Sequence, residues 1–211
     1  PEERTTTYTY DGSGNLLTTT TAADARTASS TTTMTYDTNG NVATITDAEG
    51  NETAFTYDTM GNVLTKRDGR NKTWRYTYNN TGKLLTATDP ENRTTTYTYD
   101  GSGNRIKETD PLSKEKIYTY DGRNRLLTMT DALGNTARMA YNGDGKLIRQ
   151  TDGEGKQVHY TYDTEGRLTE TEDGNGNTIT QIYAETGGGC SSCSGGTALP
   201  VATVYPTFSR E

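Results

Sequence analysis

The chain has 211 residues, a formal charge of −7 and a pI of about 4.9, and only 29 % of it is hydrophobic. Leu, Ile, Val and Phe together number 25, too few for a thick aliphatic core, which leaves either disorder or regular β structure carried by backbone ladders and Tyr and Thr pairs. Lys and Arg are scattered singly and no long apolar run exists, which argues against a nucleic-acid face and against a membrane span.

At the start of the chain, Tyr8 and Tyr10 alternate with Thr. Period-two spacing places both rings on one face of a strand, and Thr and Tyr both favour strands. Asp11 to Gly14 reads as a turn. A leading Asp bonds the backbone two residues on, and Gly three residues later accepts the positive φ of a type I turn closed by a G1 bulge. A second strand carries Leu17, and the Thr/Ala/Ser-rich stretch between Thr18 and Thr33 reads as an enlarged hairpin loop.

The same parts then return. Tyr10 and Tyr36 are 26 residues apart, and Tyr57, Tyr78, Tyr99, Tyr120, Tyr141 and Tyr162 follow at intervals of 21. Each is preceded at i−2 by a large residue (Phe55, Tyr76, Tyr97, Tyr118, Met139 and Tyr160). The first turn of the period runs from Asp37 to Gly40, Asp58 to Gly61, Asp100 to Gly103 and Asp163 to Gly166. Gly82 and Gly145 hold the same corner, and Asn124 is the one exception to Gly there. The second strand carries Val42, Val63, Leu84, Leu126, Leu147 or Leu168. It ends at a second Asp, namely Asp47, Asp68, Asp89, Asp110, Asp131, Asp152 or Asp173. Three residues past that Asp stand Gly50, Asn71, Asn92, Ser113, Gly134, Gly155 and Gly176. Apart from Ser113 these are residues that visit the left-handed region cheaply.

This pattern predicts an all-β chain of tandem 21-residue antiparallel β-hairpin repeats, forming a continuous twisted ribbon, shell or tube wall. One hairpin alone is marginal in water, so stability has to come from stacked neighbours. Residues 1–186 are expected to form the array, in about nine units. Residues 187–196 form a Gly/Ser-rich loop, and 197–211 look like a strand resuming.

The units Tyr36-Asp37-Thr38-Asn39-Gly40-Asn41-Val42 and Tyr57-Asp58-Thr59-Met60-Gly61-Asn62-Val63 are the clearest copies. With the Thr-Asp-x-x-Gly-Asn that follows, they resemble the YD repeat of bacterial Rhs and wall-associated proteins and of animal teneurins. The resemblance covers residues 4–186. It implies repeats that spiral into a hollow β shell, which in toxin systems encloses a C-terminal effector and elsewhere forms part of a cell-surface protein. It also implies a secreted or cell-surface protein, of bacterial origin by the close matching of successive units.

Few residues suggest chemistry. Cys190 and Cys193 lie in the Gly/Ser-rich break. With one His in the chain, too few ligands exist for a local zinc site, so the pair reads first as a disulfide in an oxidising compartment. The alternatives are an intermolecular link, a shared metal or free thiols. His159 reads as a surface residue, with no nucleophile motif to serve. The repeated acids are loosely like calcium loops, but they lack the bidentate Glu, and turn formation accounts for them. Their even spread is also the opposite of a paired-carboxylate cleft. The Tyr series suits sheet packing better than sugar stacking. Asn51, Asn71, Asn79 and Asn92 each open an Asn-x-Thr sequence and read as turn residues rather than glycan sites.

The expected function is therefore structural, with no enzymatic activity, cofactor or metal site. The chain reads as an extracellular repeat scaffold, a segment of a β shell or of a self-assembling surface filament or tube. One alternative is an adhesion module that binds carbohydrate or another cell-surface partner. The other is an encapsulating shell for a C-terminal toxin. No polar cap closes either end, so the array is expected to continue into further repeats or to self-associate.

Overall fold

The computed structural model describes residues 5–23, 28–183, 200 and 202–205. The chain divides into two units, Pro1–Lys114 and Glu115–Glu211. The first unit holds β1 (Thr6–Tyr10), β2 (Leu16–Thr21), β3 (Ser30–Tyr36), β4 (Val42–Thr46), β5 (Glu52–Tyr57), β6 (Val63–Arg67), β7 (Thr73–Tyr78), β8 (Leu84–Thr88), β9 (Thr94–Tyr99) and β10 (Arg105–Thr109). The second holds β11 (Glu115–Tyr120), β12 (Leu126–Thr130), β13 (Thr136–Tyr141), β14 (Leu147–Thr151), β15 (Gln157–Tyr162), β16 (Leu168–Glu172), β17 (Thr178–Ile182) and β18 (Ala202–Val204).

Within each unit every strand pairs antiparallel with the next in the chain, as β3 does with β4 (Met34↔Ile45) and β4 with β5 (Ile45↔Thr53). The protein is all-β, built of repeated hairpins, and no helix occurs among the described residues. None of them, accordingly, forms a helix long and apolar enough to cross a membrane. The stretch between Thr18 and Thr33, expected as an enlarged loop, is strand at both ends: β2 and β3 pair from Thr18↔Thr33 to Thr21↔Ser30, because Thr favours strands. β18 pairs with β17, with Ile182 opposite Ala202. The candidate disulfide residues Cys190 and Cys193, with the rest of 187–196, lie outside the described residues.

Fifteen corners join these strands with one geometry. At the first, Gly14 N–H donates to Asp11 O at 3.1 Å and Asp11 N–H donates to Asn15 O at 2.9 Å. The fourth corner residue has positive φ throughout: Gly40 at 83°, Gly61 at 84°, Gly103 at 84°, Gly145 at 87° and Gly166 at 81°. Where Gly is absent, Asn71, Asn92, Ser113 and Asn124 take φ of 60 to 62°. Asn tolerates that region through its short polar side chain, and Ser tolerates it less well.

A second irregularity lies beside each first corner. Thr35 faces Thr44 while Tyr36 faces Val42, so Ala43 has no partner. Leu17, Leu64, Leu127 and Ile148 are skipped in the same way. Such a bulge bends the strand and strengthens its local twist. The equivalent of Val42 in the first repeat is thus Leu16, opposite Tyr10, and Leu17 is the bulged residue.

The sheet is thin. Among the described residues the most buried hydrophobic side chain, Tyr118, is still 9 % exposed. One face carries the Tyr pairs. The other carries Thr pairs whose hydroxyls meet across the strands: Thr35 with Thr44 at 2.7 Å, Thr56 with Thr65 at 2.7 Å and Thr119 with Thr128 at 2.6 Å. Backbone ladders and cross-strand pairs replace a core in this arrangement.

Candidate functional site

The features most often repeated are the corner and the ring that packs on it. Where the fifth corner residue is Asn or Arg, the corner Asp accepts three hydrogen bonds from its own turn. In the second repeat Asp37 Oδ1 accepts from Asn39 N–H and Asn41 N–H, both at 2.9 Å, and Oδ2 accepts from Asn41 Nδ2 at 3.0 Å. Asp11, Asp58 and Asp100 are bonded in the same way. The amide of Asn41, followed by its backbone N–H, holds the Asp37 carboxyl below its ordinary value of 3.8, against a smaller opposing effect of burial. These oxygens are thus engaged within their own turns. No group of three or more His, Cys, Asp or Glu is arranged to hold a metal ion among the described residues.

Six of the repeat tyrosines reach back to the preceding hairpin. Tyr36 Oη donates to Leu16 O at 2.7 Å and Tyr57 Oη to Val42 O at 2.8 Å. Tyr99 donates to Leu84 O, Tyr141 to Leu126 O, Tyr162 to Leu147 O and Tyr183 to Leu168 O, each at 2.9 Å. The acceptor is always the first residue of the preceding second strand. Tyr78 and Tyr120 are half-buried in the same series. Burial, with Asp37 adding charge repulsion, pushes the Tyr57 phenol above its ordinary 10.0. Tyr10 is 59 % exposed, in contrast to its counterparts.

The fifth corner residue completes the clasp. Lys83 lies 5.6 Å from the centre of the Tyr99 ring, Arg125 4.7 Å from Tyr141, Lys146 5.2 Å from Tyr162 and Arg167 4.7 Å from Tyr183. Arg125 Nε also donates to Asp121 Oδ2 at 2.7 Å, and Arg167 Nε to Asp163 Oδ2 at 2.7 Å. Each of these two arginines therefore closes its own turn and covers the next repeat's ring, a cation–π contact of modest strength at such sites. Where the fifth residue is Asn, its amide closes the turn alone. Sequence reading located the Tyr and the corner. It missed the carbonyl that each hydroxyl meets, and it passed over the Asn/Lys/Arg variation at the fifth position, which was the available signal.

The other singled-out residues are dispersed. His159 is exposed, with Nε2 3.1 Å from Gln157 Oε1, and stands in register between Arg149 and Glu172. Asn51 Nδ2 donates to Asp47 Oδ2, Asn71 and Asn92 hold positive-φ corners, and Asn79 opens a corner through Oδ1. Nothing brings a nucleophile, a base and an acid to one place among the described residues.

Fold and clasp together define a repeat protein of antiparallel hairpins, six of them tied to the one before through a Tyr hydroxyl. The family described as Teneurin YD-shell matches residues 1–138 and again 51–188, and the chain belongs to that family. It is a structural repeat scaffold of the shell-forming kind. No curated protein matches the chain. Among solved structures, the crystal structure of TcdB2-TccC3 is similar at 18 % identity and a TM-score of 0.66, over 83 % of this chain and 12 % of that one. The TcdB2-TccC3 structure without its hypervariable C-terminal region gives 18 % and 0.67. The Photorhabdus luminescens Tc holotoxin pore gives 18 % and 0.63, over 80 % of this chain and 11 % of that one. These likenesses concern the fold, and this chain spans only about an eighth of the structures it matches.

Proposed function

We propose that this chain is a stretch of shell wall within a larger extracellular assembly, with a mechanical and not a catalytic role. The carrying observation is the Tyr hydroxyl to carbonyl clasp, made at 15-residue separation by Tyr57, Tyr99, Tyr141, Tyr162 and Tyr183. It couples these hairpins to their predecessors and uses the aromatic rings as structure. The short matched share of the solved shells supports a segment rather than a whole enclosure. Membership of the family supports a location at the cell surface or in the secreted fraction, and the alternative of a wall around a C-terminal toxin rests on the resemblance to Rhs proteins.

Electron microscopy of the native, full-length material tests this. A wall enclosing a lumen is the expected result, and solid fibres or extended threads without a lumen would overturn it.

Edge-to-edge self-assembly is a second reading, favoured by one observation. Tyr8 and Tyr10 are 55 % and 59 % exposed on β1, although equivalent rings further along are covered. Sedimentation velocity across micromolar concentrations separates a concentration-dependent oligomer from a monomer.

A further inference from the structure

We propose that Asn142 is a site of spontaneous deamidation, singled out by the structure from three Asn-Gly steps in the chain. Those steps are Asn39-Gly40, Asn142-Gly143 and Asn175-Gly176. The reaction requires the main-chain nitrogen of the following glycine as nucleophile. In two of the three that nitrogen is occupied: Gly40 N–H donates to Asp37 O at 3.1 Å and Gly176 N–H to Asp173 O at 3.0 Å. Both glycines sit at positive φ, 83° and 81°, in the fourth corner position.

Asn142 stands elsewhere in its turn. It is the leading corner residue, so Gly143 occupies the second position, exposed, with open space where a Cβ would be. The N–H of Gly143 enters none of the turn's hydrogen bonds, which run from Gly145 to Asn142 O and from Asn142 to Lys146 O. The corner is also the most loosely tied of the fifteen. Asn142 Oδ1 accepts only from Lys146 N–H, at 2.9 Å. The other leading residues accept from the residue two ahead as well, as Asn79 does from Thr81. The side-chain nitrogen that must leave is not tied to a carboxylate, as Asn41 Nδ2 is.

The Gly143 nitrogen, giving its proton to hydroxide, bonds to Cγ of Asn142, and ammonia departs with the former amide nitrogen. One water then opens the resulting succinimide at either carbonyl. The balance is one water consumed and one ammonia released, with no redox partner. The aspartate product suits the corner, because Asp already leads corners whose fifth residue is Lys, as Asp68 does with Lys72 and Asp152 with Lys156, each accepting from that backbone N–H. The isoaspartate product lengthens the main chain by one carbon inside the five-residue turn. It opens the Gly145 to Asn142 bond and withdraws Lys146 from the Tyr162 ring.

The test is peptide mapping by mass spectrometry after incubation of the full chain at mildly alkaline pH, native and in urea. In the native state Asn142 is expected to convert about tenfold faster than Asn39 and Asn175, the effect of freeing one hydrogen-bonded N–H. In urea the three rates converge. Gly143→Ala, at a position with room for Cβ, is expected to suppress conversion at Asn142 and leave the other two unchanged. Equal native rates at the three sites, or the native ratio persisting in urea, would overturn the proposal, as would conversion undiminished by Gly143→Ala.

Discussion

Replacing Tyr141 by Phe removes one hydroxyl and leaves the ring in place. That hydroxyl donates to Leu126 O at 2.9 Å across the boundary between successive hairpins, and Arg125 lies 4.7 Å from the ring centre. A net hydrogen bond contributes roughly 0.5–1.5 kcal/mol, so Tyr141→Phe should destabilise by about 1 kcal/mol while retaining the cation–π contact. Tyr141→Leu removes both interactions and part of the packed ring, and should cost about 2–3 kcal/mol. Tyr10→Phe is the internal control, since Tyr10 is 59 % exposed, and surface changes away from special features fall within about ±0.5 kcal/mol. Urea unfolding followed by circular dichroism measures all three. In a stacked array a weakened interface also separates neighbouring units, so Tyr141→Leu should broaden the transition and lower its slope. If Tyr141→Phe proves no more costly than Tyr10→Phe, the hydroxyl does not couple the hairpins and the clasp is only a packing contact.

Gly40→Ala should cost about 1–2 kcal/mol from backbone conformation alone, because φ is 83° and nothing stands within 4 Å of the added Cβ. Gly40→Asn should cost less, and Ser113→Asn should raise the thermal midpoint slightly, since Asn71, Asn92 and Asn124 already hold this geometry. The carboxyls of Asp11, Asp37, Asp58 and Asp100 are held below their ordinary 3.8, chiefly by the neighbouring Asn amide, so the folded state binds protons less tightly than the unfolded one. Their contribution to stability is complete above about pH 4 and is lost as pH falls through the folded values, so acid titration at fixed urea should show a falling midpoint there, and a flat profile would contradict it. Thr56→Ala with Thr65→Ala in a double-mutant cycle should give a coupling of about 0.2–1 kcal/mol for the 2.7 Å hydroxyl pair, and additive single effects would remove the Thr pairs from the stabilising set.

The corners were legible because positive φ excludes most residue types, and so Gly14, Gly40 and Asn71 stand out in any period of 21. Strand faces were legible because alternation is visible in Tyr8, Thr9 and Tyr10. The bulges at Leu17, Ala43 and Leu64 were not, since a skipped residue in a short strand leaves no compositional mark, and this is why Leu17 stood in the sequence reading where Leu16 belongs. The hydroxyl to carbonyl clasp was also hidden, because its acceptor is backbone and any residue type supplies one. At Arg125 and Arg167 the signal existed, but it appears as variation between Asn and a cation, and a search for repeated identity treats variation as noise. His159 and the Asn-x-Thr positions carried little, and the fold gives them local roles only.

Each corner makes its closing backbone hydrogen bonds within five consecutive residues. Whole periods are therefore interchangeable parts: a tandem duplication or loss of one complete unit in the gene leaves every remaining bend intact and every ring on its proper side. Loss of a single codon inside a strand has the opposite effect, since it turns the aromatic side outward from that point to the next corner. Such a wall can change its extent in evolution by counting repeats, without redesigning any of them.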